Sequence, residues 1–384
     1  MEIKRNGLSA CLLEAGLSCL LLTGCAAGHG NDSSAEGRRC VSGDGEACLE
    51  LGDKLMESSQ GERNRQAALE YYRRGCRLGS DIACVKQIVV DHLPEGRSAD
   101  DLDDEDLADI MRQGCEQDAG IACFMLSGMH YRGRGVPRDL ERSLAYAERA
   151  CALNEGNGCY MLAKAYYDED FVPSDLSRSL IYAKRACNLD NGDGCNLLGS
   201  MNAEGQGVVR NPDLALQYYG QACAMDNGWG CSNLAFWYGN SDNGTPDYIL
   251  AREYAIRACN LGNARGCVYL GAEHAEGKVV RQDYARARRY YEQACAMDEG
   301  AIGCTGLGFL YVNGEGVRAD AVQAAAYFDE ACQGHDSLGC EMLGTMYREG
   351  HGVERDTERA REYYGQACDL GSQKGCDAYR RLQP

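Results

Sequence analysis

Of the 23 cysteines in this sequence, those from Cys40 onward fall into pairs of fixed spacing. Cys40/Cys48, Cys76/Cys84, Cys115/Cys123, Cys151/Cys159, Cys187/Cys195, Cys223/Cys231, Cys259/Cys267, Cys332/Cys340 and Cys368/Cys376 are each eight residues apart, and Cys295/Cys304 is nine apart. Thiols so placed can oxidise to disulfides or, as thiolates, hold zinc. Zinc ligands are usually separated by two to four residues and followed by a second such pair or by histidines. That arrangement is missing here, so no metal is expected. Cysteine in this quantity otherwise belongs to an oxidising compartment. The first member of each pair recurs every 36 residues, with steps of 39 and 37 at two places. Among the many connectivities open to these cysteines, local pairing is the economical one, because it alone repeats with the period. In the chain-entropy account, closing a loop of this size is worth about 2.5 kcal/mol.

Other constellations that could do chemistry are weak. The sequence has no Ser-x-x-Lys, no His-Glu-x-x-His, no Gly-x-Ser-x-Gly and no phosphate loop. Carboxylate pairs are plentiful but unconstrained. Of the six histidines, His130 and His274 occupy a place where other repeats have tyrosine, and they read as partly buried rings that find a hydrogen bond. His29, His92, His335 and His351 read as tether, loop or turn residues. No catalytic residue is assigned, no cofactor is expected, and an enzyme is the less favoured reading.

The elements that must position the cysteines follow from the period. After the second cysteine of a pair comes an apolar residue at +3, a small one at +4 and an aromatic or His at +7. Leu198-Gly199, Leu270-Gly271, Leu307-Gly308 and Leu343-Gly344 fill the first two places, and Tyr166, Tyr238, Tyr311 and Tyr347 the third. This spacing puts all three on one face of a helix, helix A. Gly-x-Gly follows at Gly133/Gly135, Gly205/Gly207, Gly314/Gly316 and Gly350/Gly352 and predicts a tight reversal. Asp139, Asp213, Asp283, Asp320 and Asp356 then read as the start of helix B. That helix runs through pairs such as Tyr218-Tyr219 and Tyr363-Tyr364 to Ala-Cys. The first cysteine thus ends helix B and the second opens the next helix A. A period of this length means stacked helical hairpins.

The formal net charge of −19 argues against a nucleic-acid partner, since phosphates need Lys and Arg. Lys4 and Arg5 precede an apolar stretch, Ala15 to Leu22, too short to span a bilayer. Its ending, Leu22-Thr23-Gly24-Cys25, resembles a bacterial lipobox, despite Glu14 within the apolar region. That resemblance implies a signal peptide over residues 1–24, lipidation at Cys25 and a membrane anchor. Residues 25–39, rich in Gly, Ser and Ala, read as a flexible tether, and residues 40–384 as the repeat array.

The unit Leu-Gly-x-x-Tyr-x-x-Gly-x-Gly-Val…Asp…Ala…Tyr-Tyr…Ala-Cys resembles the Sel-1-like repeat, a relative of the tetratricopeptide (TPR) repeat. It is clearest at Leu307 to Cys332 and Leu343 to Cys368. The paired cysteines at every joint resemble the secreted cysteine-rich branch of that family. The resemblance covers nearly all of Cys40 to Cys376. It implies an all-α, right-handed αα-hairpin solenoid with a disulfide at each repeat junction and a concave surface lined mainly by helix A. It also implies an adaptor for other proteins, with β-lactam binding or weak hydrolysis, and so contact with peptidoglycan fragments, as the alternative. Residues 85–114, with the acidic run Asp100 to Asp106, and the stretches Asp168 to Asp175 and Gly239 to Asp247 depart from the repeat pattern.

Positions +3, +4 and +7 of helix A are spent on packing, which leaves +1, +2 and +5 to face the groove. Tyr160, Asn196, Asn233, Phe236 and Tyr269 occupy such positions. Trp237, at +6 beside Met129, Met201 and Met346 of other units, reads as core. Trp229 reads equally as joint or ligand contact. The sequence therefore points to an exported scaffold, lipid-anchored to the bacterial cell envelope on the periplasmic or surface side of the outer membrane. Its groove would take a protein, a peptide or a cell-wall fragment.

Overall fold

The computed structural model describes residues 34–57, 62–92, 102–168, 173–240, 245–297 and 300–382. Cys25, the signal-peptide and most of the tether assignments, and Asp100 and Asp101 of the acidic run lie outside these residues. All regular structure among the described residues is helical, and no helix there is long and apolar enough to cross a membrane. The chain divides into two compact units, Met1–Gly158 and Cys159–Pro384.

The first unit carries α1 (Ala35–Val41), α2 (Gly45–Glu57), α3 (Glu62–Arg77), α4 (Asp81–His92), α5 (Asp104–Glu116), α6 (Gly120–Arg132) and α7 (Leu140–Ala152). Helix α1 begins inside the stretch read as a tether. α8 (Gly156–Tyr167) contains the boundary. The second unit continues as α9 (Leu176–Asn188), α10 (Gly192–Glu204), α11 (Pro212–Ala224), α12 (Gly228–Gly239) and α13 (Tyr248–Asn260). It ends with α14 (Ala264–Glu276), α15 (Tyr284–Cys295), α16 (Ala301–Asn313), α17 (Ala321–Gln333), α18 (Ser337–Glu349), α19 (Thr357–Asp369) and α20 (Gln373–Arg381). From α2 onward, even-numbered helices are A and odd-numbered ones B.

From α5 onward each B helix starts where a side chain supplies the missing acceptor for the first backbone N–H groups. Asp139, Asp175, Asp247 and Asp283 each accept from the backbone N–H three residues on, at 2.9–3.0 Å. Asp320 and Asp356 accept two such bonds each. The expectation for Asp213 is corrected: Asn211 caps α11, Pro212 takes the first helical position, and Asp213 lies in the first turn. The same chemistry recovers part of the acidic run. Asp103 caps α5 with its side chain, and Asp104, Glu105 and Asp106 fill the first turn, where carboxylates complement the helix dipole.

Within a hairpin, A packs on B through one recurrent pair of positions twenty residues apart. Gly52 faces Tyr72, Gly199 faces Tyr219, Gly271 faces Tyr291, Gly308 faces Phe328 and Gly344 faces Tyr364. Each ring lies against bare helix backbone. A Cβ on Gly199 would stand 2.5 Å from the Tyr219 ring, closer than carbon atoms approach. Where the A residue is larger the B residue is small: Ala163 pairs with Ala183, Ala235 with Ala255 and Ser127 with Ala147. Leu126, Leu198, Leu234, Leu270 and Leu307, at +3, are fully buried beside them. At the far end of the hairpin the +7 ring stacks on a B tyrosine. Tyr166–Tyr182, Tyr238–Tyr254, Tyr311–Tyr327 and Tyr347–Tyr363 have centroids 5.5–5.9 Å apart.

The joints between hairpins are covalent. Disulfides join Cys40–Cys48, Cys76–Cys84, Cys115–Cys123, Cys187–Cys195, Cys223–Cys231, Cys259–Cys267, Cys295–Cys304, Cys332–Cys340 and Cys368–Cys376, with Cα atoms 4.5–4.7 Å apart. Cys151 and Cys159 are disulfide-bonded as well. The residue three after the first cysteine takes a left-handed conformation: Gly43, Gly79, Asp118, Asn154, Asp190, Asp226, Gly262, His335 and Gly371 all have positive φ. Asn191, Asn227, Asp336 and Ser372 then cap the following A helix. The Gly-x-Gly turns also reach backward. A Cβ on Gly207 would lie 2.8 Å from the Leu176 side chain, so this glycine lets the turn rest on the start of the preceding B helix.

Candidate functional site

The two layers of the stack are not equivalent. In the second unit the A helices touch their counterparts in the next hairpin: α10 meets α12, α12 meets α14, α14 meets α16, and α16 meets α18. Among the described residues the B helices make no comparable contact with one another. A layer whose members crowd together is the inner one of a curved stack. Positions +1, +2 and +5 of the A helices border this layer; Ser232 and Thr305 are buried in it, and Phe309 lies edge-on against Phe328 of its own B helix.

The five residues singled out for the groove stand on the A helices α8, α10, α12 and α14, and the structure brings some of them together. Asn233 Nδ2 donates to Asn196 Oδ1 at 2.9 Å, linking α12 to α10. The remaining amide groups, Asn196 Nδ2 and Asn233 Oδ1, make no hydrogen bond within the protein and face solvent. Asn227 Nδ2 donates to Asp193 Oδ1 at 2.7 Å one turn away. Tyr269 packs its ring edge and hydroxyl over Gly239, at the end of α12. Phe236 stands on the same helix, 57% exposed. Tyr160, half-buried on α8, is held with its hydroxyl pKa up at about 12 by burial first and then by Asp193 and Asp168. Burial, with Glu273 and Glu276 nearby, also pushes the Tyr269 hydroxyl up. Both phenols therefore stay protonated and can donate.

Sequence reasoning missed a further set. The B tyrosines that lean on A-helix glycines pass between the A helices, and their hydroxyls meet the +5 side chain. Tyr219 Oη donates to Ser200 Oγ at 3.3 Å, and Tyr364 Oη pairs with Thr345 Oγ1 at 2.9 Å. The twenty-residue Gly–Tyr spacing was the signal that could have found them. In the two Ala–Ala hairpins no ring comes through, and the +5 residues, Lys164 and Phe236, are exposed.

Both histidines at +7 stack on tyrosine as their neighbours do, His130 on Tyr146 and His274 on Tyr290. His130 Nδ1 is 3.3 Å from the Pro137 carbonyl. The hydrogen bond expected of His274 is not made: its buried Nδ1 has no partner. Trp229 is partly exposed, with the Arg265 guanidinium 5.9 Å from its ring centre. Glu330 stands near Cys295 and Cys304, but those sulfurs are bonded to each other and offer no thiolate to a metal.

The model of the Sel1 repeat matches residues 45–80, 120–155, 156–191, 192–227, 230–263, 264–299, 301–336 and 337–372, most of the chain. The chain belongs to the Sel1 repeat family. The matched Sel1 repeats coincide with the A–B hairpins, and the unmatched residues 81–119 contain α4 and α5. No match is found among curated proteins. Among solved structures the chain is similar to a Sel1 repeat protein from Oxalobacter formigenes, with 19% identity, covering 91% of this chain and 89% of that one at a TM-score of 0.44. It is similar to c5321, a protective antigen of uropathogenic Escherichia coli strains, with 21% identity, 90% and 89% coverage and a TM-score of 0.40. Helicobacter pylori cysteine rich protein B is 31% identical over 36% of this chain and 98% of its own, with a TM-score of 0.29. A Sel1 repeat array is a scaffold fold suited to protein interaction, and its many disulfides suit an oxidising compartment.

Proposed function

We propose that this Sel1 repeat protein is an exported scaffold, anchored through Cys25 to the bacterial cell envelope, that binds a protein or peptide along the inner face of its A helices. One observation carries the reading. In a chain with net charge −19 and 25% charged residues, the A helices from α8 to α18 are almost uncharged at positions +1, +2 and +5. Positions +1, +2 and +5 read Tyr160, Met161 and Lys164 on α8; Asn196, Leu197 and Ser200 on α10; Ser232, Asn233 and Phe236 on α12. They continue as Val268, Tyr269 and Ala272 on α14; Thr305, Gly306 and Phe309 on α16; Glu341, Met342 and Thr345 on α18. Lys164 and Glu341 are the charged members of this stretch, and charge returns at the same positions on either side of it, as Glu50, Asp53 and Lys86 on α2 and α4 and as Asp377 and Arg381 on α20. A stretch with little charge, an exposed ring in Phe236, half-buried rings in Tyr160, Tyr269 and Phe309, and free amide groups has the composition of an interface core. The unpaired Asn196 Nδ2 and Asn233 Oδ1 offer a donor and an acceptor side by side, as one peptide unit of a bound chain requires. The groove residues Tyr160, Asn196, Asn233, Phe236 and Tyr269 are therefore assigned to ligand contact.

A photo-crosslinking amino acid at position 236, incorporated in growing cells, tests this. A discrete protein adduct is expected there and not at Val322, which is exposed on the B-helix side. Equal labelling at both positions, or none at 236, overturns the groove assignment. The anchor is tested separately. Cys25→Ala is expected to release the protein from membranes, and the mature wild-type N-terminus is expected to carry the mass of a lipidated cysteine.

A further inference from the structure

One seam of the second unit is built differently from the rest. Where successive hairpins meet, the residue five after the cap of a B helix faces the +6 residue of the next A helix. Ala325 and Met346 share one core cluster at such a seam. At the seam of α9 and α10 the positions hold Leu180 and Met201, and Met201 Sδ accepts a long contact from Ser179 Oγ on α9. At the seam of α13 and α14 they hold Arg252 and Glu273, with Nε and Oε2 3.5 Å apart. The Glu273 side chain is 4% exposed, and neither carboxylate oxygen has a hydrogen-bond partner. A carboxylate withdrawn from water into a site built for methionine, held by one long ion pair, is costly to keep charged.

We propose that Arg252 and Glu273 make the joint between the α12–α13 and α14–α15 hairpins a proton-operated latch, loose when Glu273 is ionised and tight when it is protonated. The Cys259–Cys267 disulfide spans the same joint and keeps the hairpins attached while the packing loosens, so the motion is a hinge rather than unfolding. Burial raises the pKa of Glu273 and Arg252 lowers it, with burial the larger cause. The carboxyl therefore takes its proton at higher pH than an ordinary glutamate. Other ionisable groups flank the pair. Tyr269 and Glu276 share α14, and Tyr248 lies on α13. From α15 and its cap, Arg286 and Asp283 act on His274. Burial, then Arg252 and Arg286, hold the buried His274 below the usual histidine range, and only Asp283 opposes.

Hydrogen exchange read by mass spectrometry over 248–276, on the full mature protein between pH 7.5 and 5 and corrected for intrinsic exchange rate, tests the latch. Protection of this segment is expected to rise at least about threefold toward acid, while the Leu180–Met201 seam stays flat. Glu273→Gln is expected to be protected at every pH. The pair Arg252→Leu with Glu273→Met copies the α9–α10 seam and is expected to behave alike. A flat profile in the wild type, or a wild-type profile retained in either folded variant, overturns the proposal.

Discussion

The ring of Tyr219 rests on the backbone of α10 at Gly199, and its hydroxyl emerges beyond the helix to meet Ser200. Alanine is the better helix former by about 1 kcal/mol, so Gly199→Ala would stabilise an isolated helix. Here the added methyl meets a buried ring at 2.5 Å, and overpacking costs about 1–3 kcal/mol. Gly199→Ala is expected to lower stability by about 1 kcal/mol net, read from the urea midpoint. A control on α11 separates the two effects: a Cβ on Gly220 meets nothing within 4 Å, so Gly220→Ala is expected to stabilise by about 0.5–1 kcal/mol. In a double-mutant cycle Gly199→Ala and Tyr219→Ala are expected to couple favourably, since together they copy the Ala163–Ala183 hairpin.

His335 is the joint residue with the wrong chemistry for its backbone. Its φ of 64° is one that glycine adopts freely and a histidine adopts at a cost of about 1 kcal/mol or more. Gly262 and Gly371 stand at the equivalent place in other joints. His335→Gly is expected to raise the thermal midpoint, with a gain of about 0.5 kcal/mol left after glycine's greater entropy loss. An unchanged or lower midpoint would show that the imidazole makes a compensating contact.

His274 gives a pH dependence of defined sign. Its folded pKa is depressed, mainly by burial, so between that value and the ordinary histidine value the unfolded chain binds more protons. Stability contributed by neutral His274 is thus present above the unfolded value and lost as pH falls through the folded one. His274→Tyr would restore the tyrosine stack seen at Tyr238–Tyr254. It is expected to flatten the acid limb of the stability curve below the ordinary histidine value of about 6.5. A variant as acid-labile as the wild type would place the sensitivity elsewhere.

Phe236 separates binding from folding. It is exposed, so Phe236→Ala is expected to change stability by no more than about 0.5 kcal/mol. Aromatic truncation at the centre of an interface typically costs about 2 kcal/mol of binding. A variant that captures its partner as well as the wild type would remove Phe236 from the surface assigned to it.

Cys187→Ala with Cys195→Ala is expected to lower stability by about 2.5 kcal/mol, the loop-entropy value for a closure of this length, without altering far-ultraviolet circular dichroism. A much larger loss would mean that the bond also holds the seam packing in place.

Much of this architecture was legible from spacing alone. The cysteine pairs, the +3, +4 and +7 face and the Gly-x-Gly reversals all express a local periodicity, and each names contacts within one turn or one joint. What escaped was set between elements. The Gly199–Tyr219 fit needs two positions read together across a turn, and Asn211 displaced Asp213 as a cap because Pro212 already fixes the helix start. At +6 the methionines advertised a packed site, and nothing in the sequence around Glu273 said that a carboxylate had been left in one. On the inner face, the sequence located Asn196 and Asn233 on separate helices but not the hydrogen bond between them.

The disulfides close loops of nine residues, or ten at Cys295–Cys304, and join nothing more distant. Traction applied along the backbone would run through sulfur at each of these joints and through peptide in between. Under load the chain would therefore give up its hairpins one by one and take them back when the strain eased, with its joints never parted. Pulled from its two ends, a stack jointed in this way behaves as an extensible line rather than a rigid strut.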